Sequence, residues 1–189
     1  MFLNGKTTLY HGTAHQHDYI NLSECKKYGD FGKGYYLTTL FRQANQWARN
    51  KCYDKYYYIY EYNVIIPNKI DIIELPLLHY DSEWANIIAY CRQYGEVPYD
   101  IQINKKVRNP GDYDIIYDRM ADNNGGQISK SISDYLNGKI IIEDVLLTIA
   151  QRWKRDQYCF KTQKAITLLQ QKRIWIFNKS GVLIDRNDI

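Results

Sequence analysis

The sequence predicts an α+β fold built mainly on antiparallel sheets, and three observations carry that expectation. Strand-like and helix-like segments mix along the chain without the regular strand–helix–strand alternation of a doubly wound parallel sheet. The closing stretch RIWIFNKSGVLID reads as two strands about an Asn-Lys-Ser-Gly turn, a connection that makes antiparallel neighbours. The 189 residues contain no internal repeat and no low-complexity linker, which suits a single domain over 1–189 with a core of its own.

Taken in order, Thr7–Tyr10 reads as a short strand ending at His11-Gly12. Gln43–Asn50 fits a helix, because Ala44, Trp47 and Ala48 recur at the i, i+3, i+4 spacing of one face. Tyr56–Ile66 is rich in Tyr, Ile and Val and stops at Pro67, as a strand does. Lys69–Leu75 is expected as another strand. Asp81 is placed to cap a helix that runs to about Tyr94 and ends at Gly95. Tyr113–Tyr117 is strand-like. Gln127–Leu136 sets Ile128, Ile132 and Leu136 on one face with Gly138 just beyond, and Ile142–Arg152 sets Val145, Leu146 and Ile149 together. Gln157–Lys161 reads as a short strand, and Thr162 as the cap of a helix to about Gln171.

Composition sets limits on function. With 45% apolar and 24% charged residues the chain is that of a soluble globular protein. It has no run of about 18 apolar residues to span a membrane. MFLNGKTTLY lacks the basic and then apolar regions of a signal peptide, so a cytoplasmic location is expected. Cys25, Cys52, Cys91 and Cys159 are scattered without CxxC pairing and read as reduced thiols. His11, His15 and His17 crowd one segment, but no Cys or carboxylate cluster completes a ligand set, so no metal is expected. The net charge of +4 is uneven: residues 101–189 hold 15 basic and 10 acidic side chains, with Arg152, Lys154 and Arg155 the densest cluster. Such mild basicity is compatible with nucleic acid without requiring it.

Three stretches stand out: LYHGT at 9–13, DFGKGYYLTT at 30–39 with QANQWA at 43–48, and RDQYCF at 155–160. Together they resemble the ADP-ribosyltransferase superfamily, in the His-Tyr-Glu branch shared by diphtheria toxin and the poly(ADP-ribose) polymerases. The resemblance is closest to a bacterial family of this fold that reads YHGS, DFGKGFYLTT, QA-x-x-WA, YDI followed by Ala-Asp, and NQIxFxT. Here these become YHGT, DFGKGYYLTT, QANQWA, YDIIYDRMAD and DQYCFKT, over roughly residues 8–172.

The resemblance implies two packed, mainly antiparallel sheets with peripheral helices and a cleft for NAD+, used as a co-substrate. By it, His11 bonds a ribose hydroxyl, Gly12 brings bare backbone against the nicotinamide carboxamide, and Thr13 adds a hydroxyl contact. Gly32 and Gly34 turn the chain close to the cofactor, and Tyr36 stacks on the nicotinamide. Trp47, eleven residues on, closes the clamp from the other side. Tyr35, next along the strand, points the opposite way into the core, so Tyr35→Phe is expected to matter little. Lys33 reads equally as a diphosphate contact or a solvated turn lysine.

The third position departs from the branch. Where the best-known members have Glu, this chain has Gln157, as the resembled bacterial family also does. The amide oxygen still accepts from the 2′-hydroxyl, but the full charge is gone, at about 2–4 kcal/mol of transition-state stabilisation. Mono-transfer is the expected chemistry rather than polymer growth, and Gln157→Glu is expected to keep or raise NAD hydrolysis. Asp156, Asp114 and Asp122 are candidate compensating acids. The loop Arg152, Trp153, Lys154 and Arg155 is the candidate acceptor contact, suited to an acidic protein surface or to nucleic acid. The resemblance implies a mono-ADP-ribosyltransferase acting on a macromolecule, protein ahead of nucleic acid, in the manner of a toxin, effector or phage-related modifier with a neutralising partner. The alternative is a silent module that binds NAD or ADP-ribose and acts by occupying a partner.

Overall fold

The computed structural model describes residues 3, 5, 7–119, 127–148 and 155–189. Two four-stranded sheets pack face to face. The first has the order β1 (Thr8–Thr13), β3 (Tyr56–Val64), β7 (Leu169–Asn178), β8 (Leu183–Asp188), with every neighbour antiparallel. The second has the order β2 (Tyr35–Leu37), β6 (Asp156–Phe160), β5 (Ile115–Arg119), β4 (Glu74–Leu77), antiparallel except for the parallel pair β4 and β5. This is an α+β architecture with antiparallel-rich sheets. Leu9, Tyr35, Tyr60, Tyr62, Phe160 and Leu168 fill the space between the sheets.

Helices cover both outer faces. α1 (Phe41–Lys51) lays Ala44 and Ala48 on Tyr57, Ile59 and Phe177 of the first sheet. β3 therefore has apolar partners on both sides, which is why its sequence is nearly continuous in Tyr, Ile and Val. On the second sheet α2 (Ser82–Tyr94) buries Trp84 to Cys91 without a polar stripe. α4 (Gln127–Leu136) and α5 (Ile142–Thr148) pack beside it through Ile128 and Val145. The ends of α2 follow its sequence: Asp81 accepts from the Trp84 amide at 2.9 Å, and Gly95 closes the helix at φ +87°. α3 (Tyr99–Asn104) and α6 (Gln163–Ile166) are short connectors. Among the described residues no helix is long and apolar enough to cross a membrane, and all four cysteines are free.

Several expected boundaries move, each for a tertiary reason. β1 runs on to Thr13, so His11, Gly12 and Thr13 are strand residues paired with β3 rather than a loop. The strand expected at Lys69–Leu75 begins only at Glu74 and runs through Pro76. It is a sheet edge, where a residue without an N–H is tolerated. The helix capped by Thr162 stops at Ile166 instead of Gln171. Leu168 is fully buried between the sheets and Leu169 pairs with Val64, so ladder bonds and burial outweigh local helical preference. The helix expected to reach Arg152 is described as far as Thr148. The tail of that expectation lies outside the described residues.

Candidate functional site

The two sheets meet through one backbone bridge among the described residues. Tyr10 N–H donates to the Thr38 carbonyl at 2.8 Å and Thr38 N–H to the Tyr10 carbonyl at 3.0 Å. In antiparallel register the next pair would be Gly12 with Tyr36, but the ladder does not continue. The Tyr36 carbonyl is taken instead by Nδ1 of His11, 2.7 Å away. Peptide groups alternate in direction along a strand. Thr7 turns its carbonyl to Val64 of β3 while Tyr10 faces Thr38, so the N–H and C=O of Gly12 point out along the open edge of β1. An acceptor and a donor thus lie side by side where β1 and β2 part.

Side-chain direction follows the same alternation. Leu9 and His11 face the space between the sheets, and Tyr10 and Gly12 face α1. A Cβ on Gly12 would stand 2.0 Å from the Ala44 carbonyl oxygen, so only glycine lets α1 lie this close to β1. A carbonyl can only accept, which makes Nδ1 of His11 the protonated nitrogen and leaves Nε2 as an acceptor. Burial pushes this imidazole down from 6.5 to about 4, against the bond to Tyr36, with help from His17. Its ring stacks on Tyr35 at 4.1 Å. The Tyr35 hydroxyl lies 3.0 Å from that of Tyr62 and 3.2 Å from Nε2 of His17. His17 is held in turn by Tyr60, whose hydroxyl accepts from its N–H and donates to its carbonyl. Thr13 spends its hydroxyl locally, accepting from the His15 amide.

Tyr36 and Tyr35 point to opposite faces, as the strand alternation requires. Tyr36 packs toward α2 beneath the loop that precedes it. Its hydroxyl donates to the Gly32 carbonyl at 2.7 Å and accepts from the Phe31 amide at 3.0 Å. Burial, then Cys159 and Asp30, hold this phenol well above its ordinary value. The glycines serve this closure. Gly32 sits at φ +74° with no room for a Cβ against the Gly95 carbonyl, and a Cβ on Gly34 would be 2.4 Å from Cys159 Sγ. Lys161 staples the loop, donating to the Phe31 and Lys33 carbonyls at 2.6 and 2.8 Å, while the Lys33 side chain is exposed. Trp47 is 49% exposed, with the Lys51 ammonium 5.3 Å over its ring. The ring partner of Tyr36 is Phe31, so the structure does not bring Tyr36 and Trp47 together.

Gln157 lies on the Tyr36 face and is buried. Its Nε2 donates to Asp30 Oδ2 at 2.9 Å and to Asp118 Oδ2 at 3.4 Å, and Arg92 bonds the other oxygen of Asp30 at 2.7 Å. The amide nitrogen is therefore the end that faces the two carboxyl groups, and Oε1 is the end left over. Neither acid was among the sequence candidates. Asp30 opens the DFGKGYY stretch, and Asp118 reaches Gln157 because β5 pairs with β6 in the register Asp118 to Gln157. Periodicity cannot supply that register.

Of the acids singled out from sequence, Asp156 and Asp114 are engaged elsewhere. Asp156 points to the opposite face from Gln157 and accepts from Thr38 Oγ1, Thr39 N–H and Thr39 Oγ1. Asp114 accepts from the Ile73 amide and from Thr162 and pairs with Lys164. Burial alone would raise Asp114, but those bonds outweigh it and hold the carboxyl below its ordinary value. Arg155 donates to Gln46 Oε1 at 3.1 Å. Asp122, Arg152, Trp153 and Lys154 lie outside the described residues. Two surface clefts, of about 360 and 290 Å³, open on α1 and beside Lys33, Gly95 and Lys161. Neither is lined by His11, Tyr36 or Gln157.

A family model described as protein of unknown function (DUF3990) matches residues 7–171. No curated protein and no solved structure matches the chain.

Proposed function

The chain belongs to the DUF3990 family, whose description names no activity, and we propose for it an NAD-dependent mono-ADP-ribosyltransferase with the ADP-ribosyltransferase fold. The observation that carries this reading is the parted edge of β1. There the outward N–H and C=O of Gly12 match the two hydrogen-bonding groups of a carboxamide, beside a neutral imidazole whose free nitrogen accepts from a hydroxyl.

On this reading the bond that breaks joins C1′ of the ribose to the pyridinium nitrogen. Its electron pair leaves with nicotinamide, which becomes neutral. An acceptor nucleophile forms the new bond at C1′ and gives up its proton to solvent. The ribose passes through an oxocarbenium-like state, and negative charge nearby stabilises it. Gln157 offers Oε1 to the 2′-hydroxyl, while Asp30 and Asp118 hold the amide nitrogen. Stacking of nicotinamide on Tyr36 requires the loop at 29–34 to lift from the ring it now covers.

The test is incubation with labelled NAD and whole-cell lysate, with and without nuclease, followed by separation of protein and nucleic acid. Label on either fraction supports transfer and names the acceptor class. A second reading, a silent NAD-binding module, is favoured by the closed packing of Tyr36 and the absence of an acid at 157. Its signature is NAD binding by calorimetry with no labelled product and no release of nicotinamide.

A further inference from the structure

One helical face of α1 is built only of arginine and amide side chains. Arg42, Asn45, Gln46, Arg49 and Asn50 line the cleft of about 360 Å³ and fall at the i, i+3, i+4, i+7, i+8 spacing of a single stripe. The helix carries no Asp or Glu, and among the described residues neither Arg42 nor Arg49 has a carboxylate partner. The two amides are oriented by their neighbours. The Tyr57 hydroxyl donates to Asn45 Oδ1 at 2.8 Å, and Arg155 donates to Gln46 Oε1 at 3.1 Å. With both oxygens taken, Asn45 and Gln46 present N–H₂ groups between two guanidiniums set two helical turns, about 10 Å, apart.

The order along the stripe is cation, two amides, cation, with the Arg155 guanidinium set behind the Gln46 oxygen. A ligand that fits it is anionic at two points, with acceptor atoms on an uncharged group between them. That is the pattern of phosphate, base edge, phosphate. The helix is backed by β1 and β3 and flanked by the β7–β8 turn, where a Cβ on Gly181 would come 3.2 Å from the Arg49 guanidinium. The amides need base edges that a duplex holds inside its grooves, and an unpaired strand offers those edges directly to a helix lying on a sheet. We propose that the outer face of α1 binds single-stranded nucleic acid, with Arg42 and Arg49 on phosphates and the Asn45 and Gln46 amides on acceptor atoms of the base between them. The binding stands on this geometry alone; that the bound strand is also the ADP-ribose acceptor rests on the transferase reading.

The test is fluorescence anisotropy of the full chain with a labelled mixed-sequence single strand, titrated across salt concentrations. Unlabelled duplex and polyglutamate serve as competitors. Arg42→Gln/Arg49→Gln should weaken binding about tenfold or more and make the slope of log K against log salt shallower by about 1.4, at about 0.7 per lost phosphate contact. Lys69→Gln/Lys130→Gln, which removes the same charge from exposed sites elsewhere, should leave binding unchanged. Equal loss in the two variants, tighter binding of duplex, or full displacement by polyglutamate would each overturn the assignment. NAD hydrolysis should survive in Arg42→Gln/Arg49→Gln while label on the strand disappears. A protein that binds the strand but never cleaves NAD would sink the transferase and leave this surface standing.

Discussion

Gln157 makes sense once its neighbours are counted. A glutamate there would face the carboxylates of Asp30 and Asp118, at the 2.9 and 3.4 Å now spanned by amide hydrogen bonds. The expectation that Gln157→Glu keeps or raises hydrolysis therefore has to be revised: the single variant should lose roughly 2 to 4 kcal/mol of stability and, on the transferase reading, show less NAD hydrolysis. Asp118→Asn/Gln157→Glu returns a donor to the Asp118 contact only and leaves Asp30 opposite the new carboxylate, so it should recover part of the lost stability and, on the transferase reading, part of the lost hydrolysis. Thermal melts and nicotinamide release on the two variants check this. Tyr35→Phe is revised likewise, because it strips the partner shared by Tyr62 and His17. Chemical denaturation should show a loss of about 1 to 3 kcal/mol. His11 supplies a pH signature. It is neutral in the fold and takes a proton more readily once unfolded, so its contribution is complete above about pH 6.5 and is lost as pH falls toward 4. That amounts to about 3 kcal/mol at most, and the lowered His17 acts in the same direction. His11→Asn, which keeps a donor for the Tyr36 carbonyl, should flatten the melting temperature between pH 6.5 and 4.5. The opposite facing of Tyr35 and Tyr36 was legible in sequence because a strand alternates. Asp118 was not, because a pairing register joins residues far apart in the chain.

Among elements, those with local signals were read well and those set by distant partners were not. Asp81 and Gly95 bracket α2 as a cap and a left-handed stop should, and Gly138, at φ +70°, follows α4. The sequence pattern also placed β3 and the terminal hairpin. It missed the turn from α6 into β7 and the late start of β4, both decided by pairing and burial. The contact of α1 on β1 gives a sharp prediction. Gly12→Ala should force the helix away from the strand and cost about 1 to 3 kcal/mol, with a lowered denaturation midpoint. On the proposed NAD-dependent reading, loss of NAD binding at unchanged stability would instead assign this glycine to ligand approach alone.

At the scale of the molecule, the α+β class and the antiparallel sheets followed from the mixture of segments and the hairpin. Their face-to-face packing was an expectation of the resemblance to a known superfamily, and the fold agrees with it at that level. Composition and period do not say which edges touch. The sheets touch at Tyr10 and Thr38 and part directly afterwards, and this single bridge has a kinetic consequence. Its two amides are the latch of the seam: if the halves breathe, Tyr10 and Thr38 exchange their hydrogens for deuterium at the rate of that opening, whereas β3, laddered on both sides, exchanges only when the whole domain unfolds.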